Sequence, residues 1–309
     1  MATVAAGGSQ PMTGRQAGLT LIGLVTVWGL SWPIFKYGLE YLPPFWFGAV
    51  RMGSACAVLM AYMAWAGRLR VPRRSEAPIL FTLGVLLMGL YPAFTHTGLL
   101  WVESGRASIL AYLTPLWVTP GAILLLGERL TRLKAAGLGL AIGGLAVLFN
   151  PAGFDWSRSE VVLGNGLLVM ASITWAAAIL HIRTVRWRLS PIELAPWQLL
   201  IAAILLALLA LATEPAPFAR WDWELVPLLV YSGPLTSILT VWGLMAINRA
   251  LPAITTAFGY LATPVCGLLF GAALRGEALT ATNLGGLALI VAGLGAVAIA
   301  EARERSHRV

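Results

Sequence analysis

Ten apolar runs, each close to the roughly 20 residues that one helical membrane crossing needs, dominate this chain of 309 residues and leave it little choice of fold. They lie near residues 17 to 38, 45 to 66, 78 to 100, 106 to 127 and 134 to 150, and then 161 to 183, 193 to 213, 225 to 248, 252 to 274 and 283 to 300. Only 11% of the residues are charged, against about 25% in soluble domains. The short connections leave no room for an extramembrane catalytic domain. The expectation is an all-α polytopic membrane protein. The first run is too long for a signal-peptide core, and Arg15 alone makes a weak basic region before it, so it reads as a retained helix. Cys56 and Cys266 fall inside apolar runs without a CxxC spacing and read as packing residues, with no metal site and no cofactor expected.

The net charge of +8 is spread in short clusters between the runs, which argues against a nucleic-acid face. Lys and Arg are retained on the cytoplasmic side of short loops. One set of alternate connections holds Arg15; Arg68, Arg70, Arg73 and Arg74; Arg129, Arg132 and Lys134; Arg183, Arg186 and Arg188; Arg249; and Arg303, Arg305 and Arg308. The other set holds only Arg106, Arg158, Arg220 and Arg275, with Lys36 near the outer end of the first helix. Both termini are therefore expected in the cytoplasm.

Displaced by 149 residues, the chain matches itself: Thr114, Pro115, Gly127, Glu128, Gly137 and Gly144 fall on Thr263, Pro264, Gly276, Glu277, Gly286 and Gly293. At 147 the front of each half agrees too, Trp28 with Trp175 and Pro44 with Pro191, as a duplication with a small insertion gives. Five is an odd number, so the second copy enters the membrane upside down, and the charge bias places Glu128 inside and Glu277 outside. Inverted repeats of this kind are a transporter signature. The expected organisation is a tail over 1–16, a five-helix repeat over 17–150, its inverted copy over 161–300, and a second tail over 301–309.

The "TP" in the fourth helix of each half, followed by "GE.LT" at its end, resembles the EamA repeat of the drug/metabolite transporter superfamily, over nearly the whole chain. The ten spans, inside termini and Trp- and Tyr-rich interior are most similar to the YddG-type amino acid exporters. That resemblance implies a secondary transporter exporting small metabolites, amino acids including aromatic ones, by alternating access through a central cavity lined by helices one, three, four, six, eight and nine.

Several residues are candidates for that work. Pro115 and Pro264 each remove a backbone donor and are expected to kink their helices near mid-membrane as hinges, with Thr114 and Thr263 taking up the freed carbonyls; Pro92 and Pro120 add bends of their own. Trp28, Trp32, Trp117, Trp175 and Trp242 fall within their spans, and with Tyr91, Tyr112, Tyr260 and Trp101 supply apolar walls, ring faces for an ammonium group and hydroxyls; ordinary packing against helix or lipid is the alternative for each. His96 is the preferred polar contact for substrate. Lys36 and His181 lie close enough to span ends to snorkel. Arg51 is expected to pair or snorkel, contact with a substrate carboxylate being the alternative. Every Asp and Glu falls in a loop or at a span end, so no buried carboxylate relay is visible, and the expectation is facilitated diffusion of an accumulated solute or coupling through some less obvious group.

The Gly-rich stretch around Gly137, Gly139, Gly143 and Gly144 has no preceding strand and no Gly-Lys-Ser/Thr cradle, so close helix packing explains it. The Gly139 to Gly143 spacing and the ladder of Ala288, Ala292, Ala296 and Ala300 give small faces that either join the halves or support a dimer, a monomer being expected. The rival functions are sugar-phosphate, nucleotide-sugar or drug transport, a channel, and a membrane enzyme built around Glu103 with Arg106 or Asp155 with Arg158, for which no nucleophile or paired acids converge.

Overall fold

A computed structural model describes residues 12–102, 104–128, 130–149, 157–185, 188–215, 223–275 and 280–306. Glu103, Arg129, Asp155, Arg186, Arg220, Gly276, Glu277 and Arg308 lie outside the described residues, as do 1–11 and 307–309 of the two tails.

Everything regular in it is helical. We number the helices α1 (Gly14–Gly38), α2 (Pro44–Trp65), α3 (Arg74–Trp101), α4a (Ser104–Ala111) with α4b (Thr114–Leu126), α5 (Arg132–Phe149), α6 (Ser159–Thr184), α7 (Pro191–Thr213), α8 (Leu225–Ala250), α9a (Ala253–Tyr260) with α9b (Ala262–Arg275), and α10 (Ala281–Ser306). Helix α1 begins inside the segment expected to be the first tail, because Thr13 caps it in a reciprocal box with Gln16. Helix α10 likewise runs on to Ser306.

The two halves start their second helices alike. Pro44 opens α2 and Pro191 opens α7, at the position where a missing N–H costs least. Ser190 and Glu193 form a capping box on α7. On α2 the exposed N–H groups of Phe45 and Trp46 donate instead to the Glu214 carboxylate, at 2.8 and 3.0 Å, from just past the end of α7. Near the same end of the molecule the Tyr37 and Tyr41 hydroxyls donate to Glu224, at 2.6 and 3.0 Å. Those bonds hold the Glu224 carboxyl below the usual carboxylate range, so the tie between α1 and α8 is complete at neutral pH and loosens as pH falls through that lowered value.

The contacts themselves repeat. On α5, an added Cβ at Gly137 would lie 2.8 Å from the Gly293 carbonyl oxygen, and one at Gly144 would lie 2.6 Å from that of Gly286. Since 137 corresponds to 286 and 144 to 293, this crossing of α5 and α10 maps onto itself when the halves are exchanged. Small residues therefore join the two halves, but not across the expected faces: Ala288 and Ala292 of the ladder are exposed. The face used is Gly137 with Gly144, whereas Gly139 and Gly143 have open space beside them.

A second crossing recurs in both halves. Gly233 of α8 sits on Ser54 and the Arg51 backbone of α2; Gly84 of α3 sits on Ile201 and the Gln198 backbone of α7. The offsets of 149 and 147 relate every member of these two sets. Both crossings fall on wide helical turns, Phe81–Leu90 in α3 and Tyr231–Leu235 in α8. Pro92 and Pro234 account for them, because a ring that collides with a carbonyl one turn back pushes the backbone into a wider spiral. Such turns concentrate at functional sites.

The fourth and ninth spans are broken rather than kinked. A turn at Tyr112 and Leu113 separates α4a from α4b, and one at Leu261 separates α9a from α9b. Pro115 and Pro264 lie in the first turn of the second segment, where a helix has no use for the missing N–H. The Thr114 and Thr263 hydroxyls are buried without a hydrogen-bond partner, so they do not take up freed carbonyls as expected.

Replacing Gly144 by Leu is expected to lower the yield of monodisperse protein and its melting temperature, overpacking of this kind costing about 1–3 kcal/mol or more. Gly139→Leu, into open space, should leave both unchanged in size-exclusion and thermal unfolding measurements.

Candidate functional site

Between the halves lies a cavity of about 70 Å³, lined from α1, α2, α3, α6 and α8 and by Tyr112 at the break in the fourth span. That is room for a few water molecules, so a larger solute can enter only if the walls move. Its centre is aromatic. Trp175 of α6 stacks edge-on against Trp28, Tyr91 and Tyr112, with ring centroids 5.2, 5.1 and 4.9 Å away. Tyr260, at the end of α9a, lies 5.1 Å from Trp28 and 5.2 Å from Trp175 and closes the far side. Trp32 joins through Tyr112 at 6.2 Å.

The two central tryptophans are repeat partners with different fates. The Trp28 indole N–H donates to the Thr240 hydroxyl at 2.8 Å, whereas the buried Trp175 N–H has no partner. An unpaired donor on an apolar wall is the kind of group a ligand oxygen satisfies.

Toward the end occupied by Glu214 and Glu224 the lining changes character. Arg51, one of the most buried side chains of α2 at 4% exposed, lines the cavity. Its Nε–H donates to the Ser232 carbonyl at 2.9 Å, an oxygen made available by the wide turn of α8. Its Nη1 donates to His96 Nε2 at 2.7 Å, which places the imidazole proton on Nδ1, facing the Pro44 carbonyl at 3.3 Å. The guanidinium carbon stands 3.9 Å from the centre of the Phe35 ring. No carboxylate pairs with Arg51 among the described residues. Two of its five N–H groups are engaged by these bonds, and the rest remain available to a ligand.

His96 and Arg51 are thus brought together in the cavity, Arg51 as a fully inserted cation rather than a snorkelling one. Trp28, Trp32, Tyr91, Tyr112 and Trp175 join them, with Tyr260 behind. Trp101, Trp117 and Trp242 do not, being 36, 37 and 39% exposed on outer helix faces. Helix periodicity explains the last: Thr240 and Leu244 face the cavity, and Trp242, two residues from each, points the opposite way. The Trp117 indole instead donates to Ser172 at 2.9 Å. Lys36 is also outside the cavity. Its ammonium donates to the carbonyls of Leu99 and Val102 at the end of α3, neutralising a helix C-terminus. Its counterpart Arg183 does the same for Leu251, the counterpart of Val102, at the end of α8.

Sequence reasoning missed the hydroxyl face of α8, where Thr236, Ser237 and Thr240 line the cavity. Each hydroxyl also bonds a carbonyl on its own helix, which makes such a face look like local structure when read from the chain. It also passed over Gln198, the repeat counterpart of Arg51, although the 147-residue offset points to it.

A two-fold inverted helical array with a site at the interface of its halves defines a membrane transporter. The chain belongs to the EamA-like transporter family, which it matches over residues 16–150 and 162–299. It is 27% identical to a probable amino-acid metabolite efflux pump of Salmonella typhimurium, covering 91% of this chain and 94% of that one. It is 26% identical to a probable terminal-alkyne amino-acid exporter of Streptantibioticus cattleyicolor, over 89% and 90% of the two chains. A crystal structure with 23% sequence identity superposes with a TM-score of 0.72 over 94% of this chain and 98% of that one, which shows the fold.

Arg51→Met is expected to leave the melting temperature unchanged or higher, because an apolar side chain replaces a buried cation whose desolvation its neighbours only partly offset. His96→Leu in the wild-type background should lower it by removing an acceptor from a charge that stays buried. A fall in melting temperature of R51M as large as that of H96L would show that Arg51 is held for stability and not for a ligand.

Proposed function

We propose that this protein exports small metabolites, above all amino acids including aromatic ones, across the bacterial inner membrane by alternating access through the cavity between its halves. The observation that carries the reading is Arg51, a buried cation with N–H groups to spare and no acidic partner among the described residues, beside a wall of Trp and Tyr rings. A substrate carboxylate on Arg51 supplies the missing counter-charge. The ring faces of Trp28, Tyr91, Tyr112 and Trp175 then receive the side chain, and the unpaired Trp175 N–H adds a donor. The names of the Salmonella and Streptantibioticus relatives support the choice of amino acids.

One cation suits a carboxylate better than a phosphate, whose second charge would need another Lys or Arg that the cavity lining does not contain. This favours amino acids over sugar phosphates. With no carboxylate in the cavity lining, transport runs as facilitated diffusion of an accumulated solute. In this reading the termini are cytoplasmic, Arg51 lies toward the outside, and the breaks before Pro115 and Pro264 are the hinges. One chain, without a cofactor, is the working unit.

Cells that express the chain and are fed mixed dipeptides should release amino acids faster than empty-vector cells, and purified protein in liposomes should equilibrate phenylalanine without any ion gradient. Arg51→Gln should remove most of this flux. Trp175→Ala should cut the preference for phenylalanine over alanine by about tenfold, the worth of one stacked aromatic contact. Release no faster than from empty-vector cells would overturn the amino acid reading, and a strict requirement for a pH gradient would overturn uniport.

A further inference from the structure

Immediately behind the aromatic floor is a second group of polar side chains that the cavity does not include. Tyr260 belongs to both: its ring packs on Trp28 and Trp175, and its hydroxyl lies 3.3 Å from Asn248 Nδ2 on α8. One turn before Asn248, Met245 receives the Gln198 amide at 3.7 Å from α7. One turn after it, the Leu251 carbonyl receives Arg183 from α6. Met245 and Asn248 share one face of α8, and Leu251 caps its end.

Three atoms of this group are fully buried without a hydrogen-bond partner: Gln198 Oε1, Asn248 Oδ1 and Arg183 Nε. Gln198 and Asn248 are 0 and 2% exposed. Native proteins leave few such atoms, and here two acceptors and one donor belong to side chains that meet successive turns at the end of α8, where Asn248 touches Tyr260. The set complements an α-amino acid, whose ammonium needs acceptors and whose carboxylate needs a cationic donor. It is also the inverted image of the outer site, since Gln198 corresponds to Arg51 and Met245 to His96. The duplication has kept the place and changed the chemistry. From Ser232, beside Arg51, to Asn248 is 16 residues of helix, roughly 24 Å, so no single amino acid touches both groups.

We propose that Gln198, Asn248 and Arg183 form a second substrate station at the end of the path opposite Arg51, which the reading above places on the cytoplasmic side. The Asn248 and Gln198 amide oxygens accept from the α-ammonium, and the Arg183 Nε–H donates to the α-carboxylate. An amino acid waits there before it passes Tyr260 into the aromatic chamber. The station thus deepens the amino acid reading by adding selection for the ammonium group, for which the site around Arg51 offers no amide or carboxylate acceptor among the described residues.

Quenching of tryptophan fluorescence on the purified full-length chain, titrated with phenylalanine and with 3-phenylpropionate, which lacks the amine, tests this without requiring transport. Wild-type protein should bind phenylalanine about tenfold more tightly, the worth of hydrogen bonds to one charged group. In Q198L/N248L the two ligands should bind equally, with 3-phenylpropionate unchanged. Asn248→Asp, which keeps the acceptor oxygen and adds charge, should preserve or widen the preference; a purely structural Asn248 would lose it. Equal binding in the wild type, or an undiminished preference in Q198L/N248L, overturns the station. Parallel exchange assays in liposomes separate the two readings: phenylalanine preference lost in the variant while the wild type exchanges no amino acid leaves the station standing and removes the transport reading, and exchange with an unaltered preference does the reverse.

Discussion

A guanidinium inside a membrane protein has to be held by something, and the way Arg51 is held organises the surrounding structure. Transfer of an unpaired charge out of water costs several kcal/mol even after relaxation. Three neighbours offset part of that: the Ser232 carbonyl, the neutral His96 imidazole and the face of Phe35. Each comes from a different helix, so one side chain on α2 meets α8, α3 and α1 at a single point. The carbonyl is free to serve only because α8 winds wide at Tyr231–Leu235, and Ser237 reaches back to share it at 3.4 Å. None of the three neighbours carries a negative charge. The arrangement tolerates the cation without neutralising it, the condition in which an incoming carboxylate gains most.

The repeat makes this choice informative. At the opposite end the same crossing is built with Gly84 for Gly233 and Ile201 for Ser54, yet Gln198 stands where Arg51 would and Met245 where His96 would. Backbone approach is preserved, because a side chain at Gly233 would collide with the partner helix and one at Gly84 would crowd it. The charge is not preserved. The caps are preserved too, Lys36 and Arg183 both closing a helix end: architecture is duplicated where the bilayer imposes a backbone requirement, and along the path Trp28 and Trp175 are kept while Arg51 and His96 are replaced. Helix ends and crossings have one solution that lipid permits, while the lining answers to the solute.

That division explains what could be read from the chain alone. Ten helices, their inverted pairing and the aromatic character of the interior were legible, because hydropathy and the offsets of 147 and 149 record backbone constraints directly. Pro115 and Pro264 were legible as special positions, though not as starts of new helical segments, since a proline kinks or begins a helix according to whether the preceding turn stays wound. Tryptophans were the hardest to place. Trp175 and Trp242 both lie deep in their spans, and rotation about the helix axis alone puts one at the centre of the cavity and the other on the outer surface. Arg51 was ambiguous for a related reason: a long side chain near a span end can reach water or turn inward, and the inward acceptors, the Ser232 carbonyl on the wide turn of α8 and His96 Nε2, are brought to it only by the fold.

The small size of the chamber bears on how the path has to work. A space for a few waters, bounded by rings in edge-to-face contact, is stable as it stands, and a solute must break those contacts to enter. The breaks at Tyr112 with Leu113 and at Leu261 adjoin those rings: Tyr112 is itself one of them and Tyr260 immediately precedes the other break. Rotation there disrupts no continuous ladder of helical hydrogen bonds, whereas bending an intact helix at the same depth would expose carbonyls where no water can satisfy them. On the proposed reading, each break lets one aromatic wall move with its half-helix. The unequal chemistry of the two ends, a cation beside aromatic rings at one and a cation with amide oxygens at the other, then makes the second movement respond to the ammonium group as well as the carboxylate.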